Sequence, residues 1–257
     1  MRQDNGSDLF DPERWGLPTE IIDGLADQLR DCWARFRPCF TTKTRDTSEY
    51  AYVYLRGLLT MDSKRNYANI ARQVIDPEDD GQNLQQFMSD SPWATQPVFQ
   101  QIQAEIGHRS ELAGGILTLD ESGDKRAGDQ SAGAGQQYLG RLGKVEMGQV
   151  GVGLGYYKAG LWTLVAADLF LPEHWFDDDH TDLRQRLDIS DDRQFATKLD
   201  LGLAMIRQAQ ANQLPFEVVT ADCLYGRDGD FRASLEQANI RYLLDIPADY
   251  LVYFNQH

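Results

Sequence analysis

The spacing of apolar residues changes its character near residue 112. Before that point, apolar side chains recur every three or four positions, as they do on one face of an α-helix. The pattern therefore predicts a helical N-terminal region over residues 1–112. Its helices are expected at Thr19–Phe36, Ser48–Leu59, Ser63–Val74, Gly81–Asp90 and Ser91–Gly107.

From Ala113 onward, short apolar runs bounded by turn residues replace the helical pattern, which is typical of β-strands. Tyr157–Gly160 suits the turn of a hairpin, and the glycine-rich stretch 123–155 is expected to be a loop that leads into it. Strands are predicted at Ile116–Leu119, Gln149–Tyr156, Leu161–Leu171, Phe216–Ala221 and Tyr242–Ile246, and helices at Thr197–Asn212 and Asp228–Ala238. This order of strands and helices predicts an α/β fold with the mixed sheet of an RNase-H-like core.

Two aspartates are predicted to lie where a strand ends in a glycine-bearing loop. Asp120 follows the first predicted strand and Asp222 follows the fourth. An acid at such a position has no packing role, and two acids on neighbouring strands can share divalent metal ions. Hard oxygen ligands suit Mg²⁺ or Mn²⁺, so phosphodiester chemistry is the leading hypothesis. The alternative is that each aspartate merely caps the next helix or turn.

The charge of the chain argues against DNA binding overall, but its distribution is uneven. The 257 residues carry a formal net charge of −15, whereas affinity for DNA comes mainly from Lys and Arg that neutralise phosphates. The segment Thr41–Arg72 nevertheless holds six basic residues against three acidic ones. A solvated, mixed-charge surface explains such a segment equally well.

Other sequence features restrict the class of protein. No apolar run is long enough to cross a membrane, and the N-terminus lacks the apolar stretch of a signal peptide. The three cysteines form no metal-binding pair, which argues against a zinc site. We therefore expect a cytoplasmic protein without a membrane partner.

Several sequence blocks then narrow the hypothesis. Leu119–Gly128 (LDESGDKRAG) resembles the block I-D-D-T-G-x-x-K-x-G of insertion-sequence transposases of the DDE superfamily, and Val219–Gly226 (VTADCLYG) is similar to their V-x-x-D-x-x-Y-G. Further similar blocks lie, in the family's order, at Tyr54–Leu59, Phe87–Trp93, Gln136–Val152 and Leu169–Trp175. The resemblance covers most of the chain, from about residue 47 to 247.

The resemblance implies roles for individual residues. Asp120 matches the first catalytic aspartate of the family and Asp222 the second, both as ligands of Mg²⁺ or Mn²⁺. Glu121 stands where many relatives have a second aspartate, and we expect it to tune the site rather than bind metal. Lys144, Gln149, Lys125 and Arg126 are the candidate DNA-binding residues; the alternative for Lys144 and Gln149 is a surface lysine and a strand-edge glutamine. The acidic segment Asp177–His180 has the composition of a metal site but is expected to be a solvated loop.

The resemblance also implies different roles for the two regions of the chain and the lack of one catalytic residue. Residues 1–112 would serve DNA binding or dimerisation, and residues 113–257 would form the catalytic core. The family's third catalytic acid, a glutamate in a tyrosine-arginine-x-x-glutamate context, has no match in this sequence. We therefore expect a core truncated at its C-terminal part and inactive as this fragment.

Two functions remain open at this point. The first is a DDE transposase that cleaves and joins DNA at insertion-sequence ends, with a nucleoid-associated location. The second is a non-catalytic remnant that binds DNA, forms a homodimer or pairs with the full-length enzyme. A glycosidase-like pair of carboxylates has no support beyond the two acids.

Overall fold

The fold is described from a computed structural model for residues 19–250, with side-chain environments from residue 24 onward. The last seven residues of the predicted core, 251–257, lie outside this part. The chain divides into two compact units, one ending at Gln101 and the other beginning at Ile102. Among residues 19–250, no helix combines the length and apolar character needed to cross a bilayer.

The first unit is helical, as the apolar spacing predicts. Its helices are α1 (Thr19–Phe36), α2 (Ser48–Thr60), α3 (Tyr67–Val74), α4 (Gln82–Asp90) and the first part of α5 (Thr95–Gly107), with a 3₁₀ turn at Arg37–Phe40. Helix α3 begins later than the predicted Ser63 because Asn66 caps it: the Asn66 side chain accepts the Asn69 N–H at 2.9 Å. Aromatic rings fill the core of this unit, with Phe40 against Trp93 at 5.4 Å between ring centroids.

In the described part of the second unit, residues 102–250, six strands combine with four further helices. The strands are β1 (Gly115–Lys125), β2 (Gly135–Leu139), β3 (Lys144–Lys158), β4 (Leu161–Phe170), β5 (Phe216–Ala221) and β6 (Tyr242–Leu244). The helices are α6 (Thr181–Arg186), α7 (Lys198–Ala211), α8 (Cys223–Gly226) and α9 (Gly229–Gln237). Short 3₁₀ turns lie at Ser110–Leu112, Gly140–Leu142, Glu173–Phe176 and Asp178–His180.

Strand β1 lies in the middle of one mixed sheet. It pairs antiparallel with β3 on one side and parallel with β5 on the other, and β6 continues the parallel part beyond β5. Strands β2 and β4 pair with successive parts of β3. The arrangement is consistent with an RNase-H-like core, which confirms the predicted fold class.

The predicted hairpin is confirmed. Strands β3 and β4 are joined by two residues, Ala159 and Gly160, with φ angles of 51° and 84°. Positive φ at both central positions is the geometry of a tight turn that matches the twist of its strands.

The prediction that residues 123–155 form an irregular loop is wrong in its main part. This stretch contains the end of β1, all of β2 and most of β3. Glycines interrupt the alternation of apolar and polar residues by which these strands could be predicted. Two of them, Gly123 and Gly148, make room for the buried Leu139, because a Cβ at either position would lie under 3.0 Å from the Leu139 side chain. Asp120 therefore lies within β1 and not at its end.

Helices α7 and α9 pack on one face of the sheet. Leu117 and Leu119 of β1, Ile206 of α7, and Phe231 and Leu235 of α9 are all fully buried within one apolar cluster. Burying apolar side chains of this size stabilises the fold by about 1.5–3 kcal/mol each. This face fixes the positions of β1 and β5, and hence of the acids that they carry.

A buried tyrosine ties together the starting points of β1 and β5. The Tyr156 hydroxyl donates to the Leu112 carbonyl, lies 3.1 Å from the Pro215 carbonyl and accepts the Gly115 N–H at 3.1 Å. Burial raises the pKa of this phenol. The Tyr156 hydroxyl thus both donates and accepts hydrogen bonds within the fold.

Candidate active site

Asp120 extends from β1 at the height where β5 ends. It lies opposite Gly153 of β3, and its neighbour Leu119 is paired with Ala221, the last residue of β5. The side chain is exposed, and its Oδ1 accepts the Glu121 N–H at 2.8 Å. Among residues 19–250, no group donates a hydrogen bond to Oδ2, which leaves that oxygen available to a ligand.

Asp222 begins the turn that follows β5. Its Oδ1 accepts the Leu224 N–H at 2.9 Å and so caps the short helix α8. The turn is held tightly against β6, because a Cβ at Gly226 would lie 1.9 Å from the Asp245 carbonyl oxygen. Asp222 therefore does cap a helix, as the alternative hypothesis has it, and no group in the described part of the chain donates a hydrogen bond to its Oδ2.

The two aspartates leave neighbouring strands at adjacent heights. Paired strands lie about 4.8 Å apart, so the backbones of Asp120 and Asp222 lie side by side at the point where β5 ends. Their carboxylate oxygens are the ligand type that Mg²⁺ and Mn²⁺ prefer. Within residues 19–250, however, no group of three or more His, Cys, Asp or Glu side chains is placed to hold a metal ion. The donor chemistry of the two carboxylates is of the type that suits a divalent cation, and a role of Asp120 and Asp222 as metal ligands stays a prediction.

Glu121 is directed to a different partner from Asp120. Its Oε1 lies 3.2 Å from Nζ of Lys198, the first residue of α7, and the two side chains are 17% and 22% exposed. Burial raises the pKa of the Glu121 carboxyl. Lys198 opposes the rise, and the nearby charges of Asp222 and Asp120 add to it, so the three acids form one electrostatic cluster.

Tyr225 lies beneath this cluster, three residues after Asp222. It is fully buried, and its ring contacts Phe231 at 5.3 Å between centroids. Burial raises the pKa of its phenol well above the ordinary value, and the charges of Glu121, Asp222 and Asp120 raise it further. Its hydroxyl has no hydrogen-bond partner in the described structure.

These groups border a cleft of about 380 Å³. Besides the three acids, the described residues that line it include Tyr138, Cys223, Lys198 and Arg227. Two cationic side chains beside three acidic ones are an arrangement that can bind a phosphate and a divalent cation together.

Comparison with known proteins decides the family. Residues 35–257 match the family model of the DDE superfamily endonuclease. The chain belongs to the DDE superfamily of endonucleases. The family prediction made from the sequence blocks is confirmed.

One curated relative gives a measure of the similarity. The chain is 28% identical over 205 residues to the probable transposase for insertion sequence element IS701 from Microchaete diplosiphon. The alignment covers 79% of this chain and 50% of that protein, so the chain spans about half the length of the relative. No solved structure matches the chain significantly.

The four predicted DNA-binding residues of this DDE superfamily chain lie outside the cleft. Lys125 and Lys144 both form ion pairs with Glu146, Lys125 at 3.0 Å. The Gln149 amide oxygen accepts from Arg126, and the Gln149 amide nitrogen donates to the Ala132 carbonyl. These contacts place all four residues near the C-terminal end of β1. Their role in DNA binding stays a prediction.

The acidic segment Asp177–His180 also lies away from the cleft. It forms a 3₁₀ turn in which the three aspartates are exposed, and the His180 ring packs against Trp175 at 5.3 Å between centroids. The exposure agrees with the solvated loop that the sequence predicts.

Three groups were not predicted from the sequence: Lys198 and Arg227, which line the DDE cleft, and the buried Tyr225. Lys198 and Arg227 are isolated cations in the sequence and no motif singles them out. Tyr225 does stand within the block Val219–Gly226, in the position of the tyrosine of V-x-x-D-x-x-Y-G. That position indicates that Tyr225 belongs to the site, whereas the burial of its hydroxyl and the lack of a hydrogen-bond partner emerge only from the fold.

Proposed function

We propose that this chain carries two of the catalytic acids of an insertion-sequence transposase and acts in Mg²⁺- or Mn²⁺-dependent cleavage and strand transfer at the ends of the element. The observation that supports the proposal is the position of Asp120 and Asp222 on the neighbouring strands β1 and β5 at the point where β5 ends, each with one carboxylate oxygen that no described residue uses. The DDE family membership and the name of the curated relative support the same function.

Each side chain has a distinct task in the proposed reaction. Asp120 and Asp222 would hold the divalent ions, which supply activation of the attacking hydroxyl and stabilisation of the leaving 3′-oxygen when they are bound. Lys198 and Arg227, which line the same cleft, attract the DNA phosphate. Glu121 keeps Lys198 in place through their ion pair and adds negative charge beside the ligands.

DNA at the element ends is the proposed partner, and the protein would act at the nucleoid. Residues 1–112, with the basic segment Thr41–Arg72, and the cluster of Lys125, Arg126, Lys144 and Gln149 are the proposed sites of DNA contact. Phosphate contacts of this kind weaken as salt concentration rises. Homodimer formation, or pairing with a full-length transposase, is part of the same proposal.

A second function is favoured by one observation. Residues 19–250 contain no group of three metal-binding side chains, and a site with two carboxylates binds and aligns metal ions weakly. The chain would then bind DNA or a second transposase chain without cleaving DNA.

A nicking assay separates the two functions. Supercoiled DNA that carries the element ends is incubated with the wild-type chain, Asp120→Asn and Asp222→Asn, with and without Mg²⁺ or Mn²⁺. Metal ions contribute several kcal/mol to such reactions, so both variants are expected to lose about 100-fold or more of the nicking rate. Asparagine keeps the oxygen that accepts the local N–H, which limits the change to the charge.

Asp228→Asn is the matched control. Asp228 also caps a helix, α9, through an N–H acceptor bond at 2.7 Å, but it does not line the cleft. This variant should nick DNA like the wild type. DNA binding without metal-dependent nicking by the wild-type chain would support the second function, and equal nicking by all variants would exclude the proposed site.

A further inference from the structure

The turn between α2 and α3 holds a lysine in a backbone conformation that favours glycine. Lys64 has a φ angle of 55°, and a side chain in this left-handed region strains the backbone. Two hydrogen bonds to its carbonyl oxygen keep it there, from the Asn66 N–H at 2.8 Å and from the Asn69 side-chain amide at 2.9 Å. Backbone strain that the surrounding structure maintains clusters where side chains serve a ligand. A lysine at this position therefore indicates a use for its exposed ammonium group.

Two arginines near Lys64 are held by neutral groups of the same unit. The Arg65 Nε donates to the Met61 carbonyl at 2.6 Å, and the Arg72 Nη1 donates to Oδ1 of Asn69 at 3.1 Å. Both arginines are exposed. A guanidinium group has five N–H donors, so each is oriented by one hydrogen bond and keeps most of its donors for a ligand.

These three cations differ from other arginines of the helical unit in their charge environment. Arg30 forms an ion pair with Asp27, and Arg37 forms one with Asp46 at 3.3 Å. Among the described side chains, no acid forms an ion pair with any of the three cations. In a chain with a net charge of −15, they form a local positive surface, which attracts a polyanion.

Helix α3 presents this surface from a closely packed base. Ile70 and Ala71 on its inner side are fully buried, and α2 comes so near that a Cβ at Gly57 would lie 2.4 Å from Cγ2 of Ile70. Arg72 lies about 7.5 Å along the helix axis from Tyr67, the first residue of α3. Each DNA strand carries one phosphate per about 3.4 Å of axis, so the surface spans about two to three phosphates.

We propose that Lys64, Arg65 and Arg72 bind the phosphates of duplex DNA and that Asn69 is the residue that positions them. Asn69 donates to the backbone of Lys64 and accepts from Arg72, so one neutral side chain joins both parts of the surface. Phosphate contacts fix the place of a duplex without reading its sequence. The inference rests on the proposed function in DNA transposition and names the side chains of the basic segment that hold the duplex.

The test measures the affinity of the whole chain for two short labelled duplexes of unrelated sequence, by fluorescence anisotropy between about 50 and 200 mM salt. A chelator is present, so that the result does not depend on divalent cations. Arg65→Gln and Arg72→Gln should each reduce the slope of log K against log salt by about 0.9 and weaken binding about five- to tenfold at about 0.1 M salt. Both duplexes should be affected equally.

Two further variants test the strained lysine and the positioning residue. Lys64→Gly should weaken DNA binding as the arginine variants do, whereas its urea midpoint should not fall, because glycine accepts a positive φ without strain. Asn69→Ala leaves all three cations in place. It should keep the salt slope and lose about three- to tenfold in affinity, because the cationic side chains must then be ordered on binding. An Asn69 with a merely structural role would lower the urea midpoint and leave DNA affinity unchanged.

Arg241→Gln is the matched control for the loss of one positive charge. Arg241 is also exposed, but its Nη2 lies 2.8 Å from Oε1 of Glu217. Its replacement changes the net charge by the same amount as Arg65→Gln or Arg72→Gln. The salt slope of Arg241→Gln should equal that of the wild type.

The outcomes separate this inference from the proposed function. Unchanged salt slopes in Arg65→Gln and Arg72→Gln overturn the inference, as does an equal reduction in Arg241→Gln, and metal-dependent nicking is unaffected by either result. Unequal effects on the two duplexes overturn the assignment to phosphates. Weaker self-association with unchanged DNA affinity would identify an acidic surface of a second copy as the partner and overturn the inference as well. A wild-type chain that binds neither duplex overturns the proposed function together with the inference.

Discussion

A buried tyrosine lies at each end of the β1–β5 pair, and the two hydroxyls differ in their hydrogen bonding within the described residues. At the starting end, the Tyr156 hydroxyl contacts the backbone of Leu112, Gly115 and Pro215. At the other end, the Tyr225 hydroxyl has no hydrogen-bond partner among the described residues and lies beside three acids. The starting end is built for stability, whereas the end with the acids retains polar groups that the fold does not satisfy.

This contrast is what a binding or catalytic site is expected to show. Like charges placed together and unsatisfied buried groups destabilise the folded chain, and they persist where a ligand uses them. A stability measurement should therefore give opposite results at the two ends: substitutions at the starting end should destabilise, and removing charge or hydroxyl groups at the acidic end should not.

The largest effect is expected for Gly115→Ala at the starting end. A Cβ at Gly115 would lie 2.1 Å from the Tyr156 ring, and that ring cannot retreat without breaking the contacts of its hydroxyl. Overpacking of this kind costs about 1–3 kcal/mol, occasionally more, and we expect the upper end of that range in urea unfolding. Gly107→Ala, where nothing lies within 4 Å of the new Cβ, is the matched control and should be neutral. A neutral Gly115→Ala would contradict the assignment of this end to stability.

Tyr156→Phe should have the next largest effect. Removing the hydroxyl leaves the Leu112 carbonyl buried without its donor, and an unsatisfied buried group costs about 1–3 kcal/mol. The loss should appear as a lower urea midpoint with an unchanged dependence on denaturant. The comparison is with Tyr225→Phe, for which no loss is expected, and equal losses for the two substitutions would remove the contrast between the ends.

The smallest effect, and one that depends on pH, is expected for Glu121→Gln without divalent cations. Because burial raises the pKa of Glu121, the folded chain favours the protonated form. The contribution of Glu121 to the stability of the wild type should therefore fall as pH rises from the ordinary glutamate pKa, about 4.3, through the raised folded pKa. Glutamine cannot ionise, so the variant should gain stability relative to the wild type over this interval, less the lost attraction to Lys198.

Urea unfolding of both proteins at about pH 4 and pH 7 measures this difference. The decisive result is the direction in which the stability difference between the two proteins changes with pH. The stability of Glu121→Gln relative to the wild type must be larger at neutral pH than at acidic pH. A wild type that is more stable than Glu121→Gln at neutral pH would mean that the ion pair with Lys198 outweighs the burial of the carboxylate.

The sequence predicts the α/β order and the position of Asp222 well, because both depend on local patterns. The apolar run Phe216–Ala221 is a strand in the structure, and Asp222 follows it directly. The same local pattern predicts Asp120 at a strand end, but β1 continues to Lys125 because β3 goes on pairing with it as far as Gly148. Pairing with a distant strand is not visible in a local apolar pattern.

The composition of the cleft could be predicted only in part for a similar reason. Glu121 and Lys198 are distant in sequence and meet because α7 packs on the sheet. The unsatisfied state of the Tyr225 hydroxyl depends on what is missing around it, and that is a property of the tertiary structure. Sequence blocks identify which residues matter, whereas their interactions require the fold.

Cys223, which is exposed and lines the cleft, is a suitable attachment site for a fluorescent probe of ligand binding. Its thiol adjoins Asp222 and is exposed, while Cys39 is half-buried with a pKa that burial raises, which slows its reaction with alkylating reagents. A fluorophore attached to Cys223 in a chain with Cys32 and Cys39 replaced by serine would sit within a few bonds of the acids. Its emission would report in real time when an ion or a DNA strand arrives, independently of whether any bond is cut.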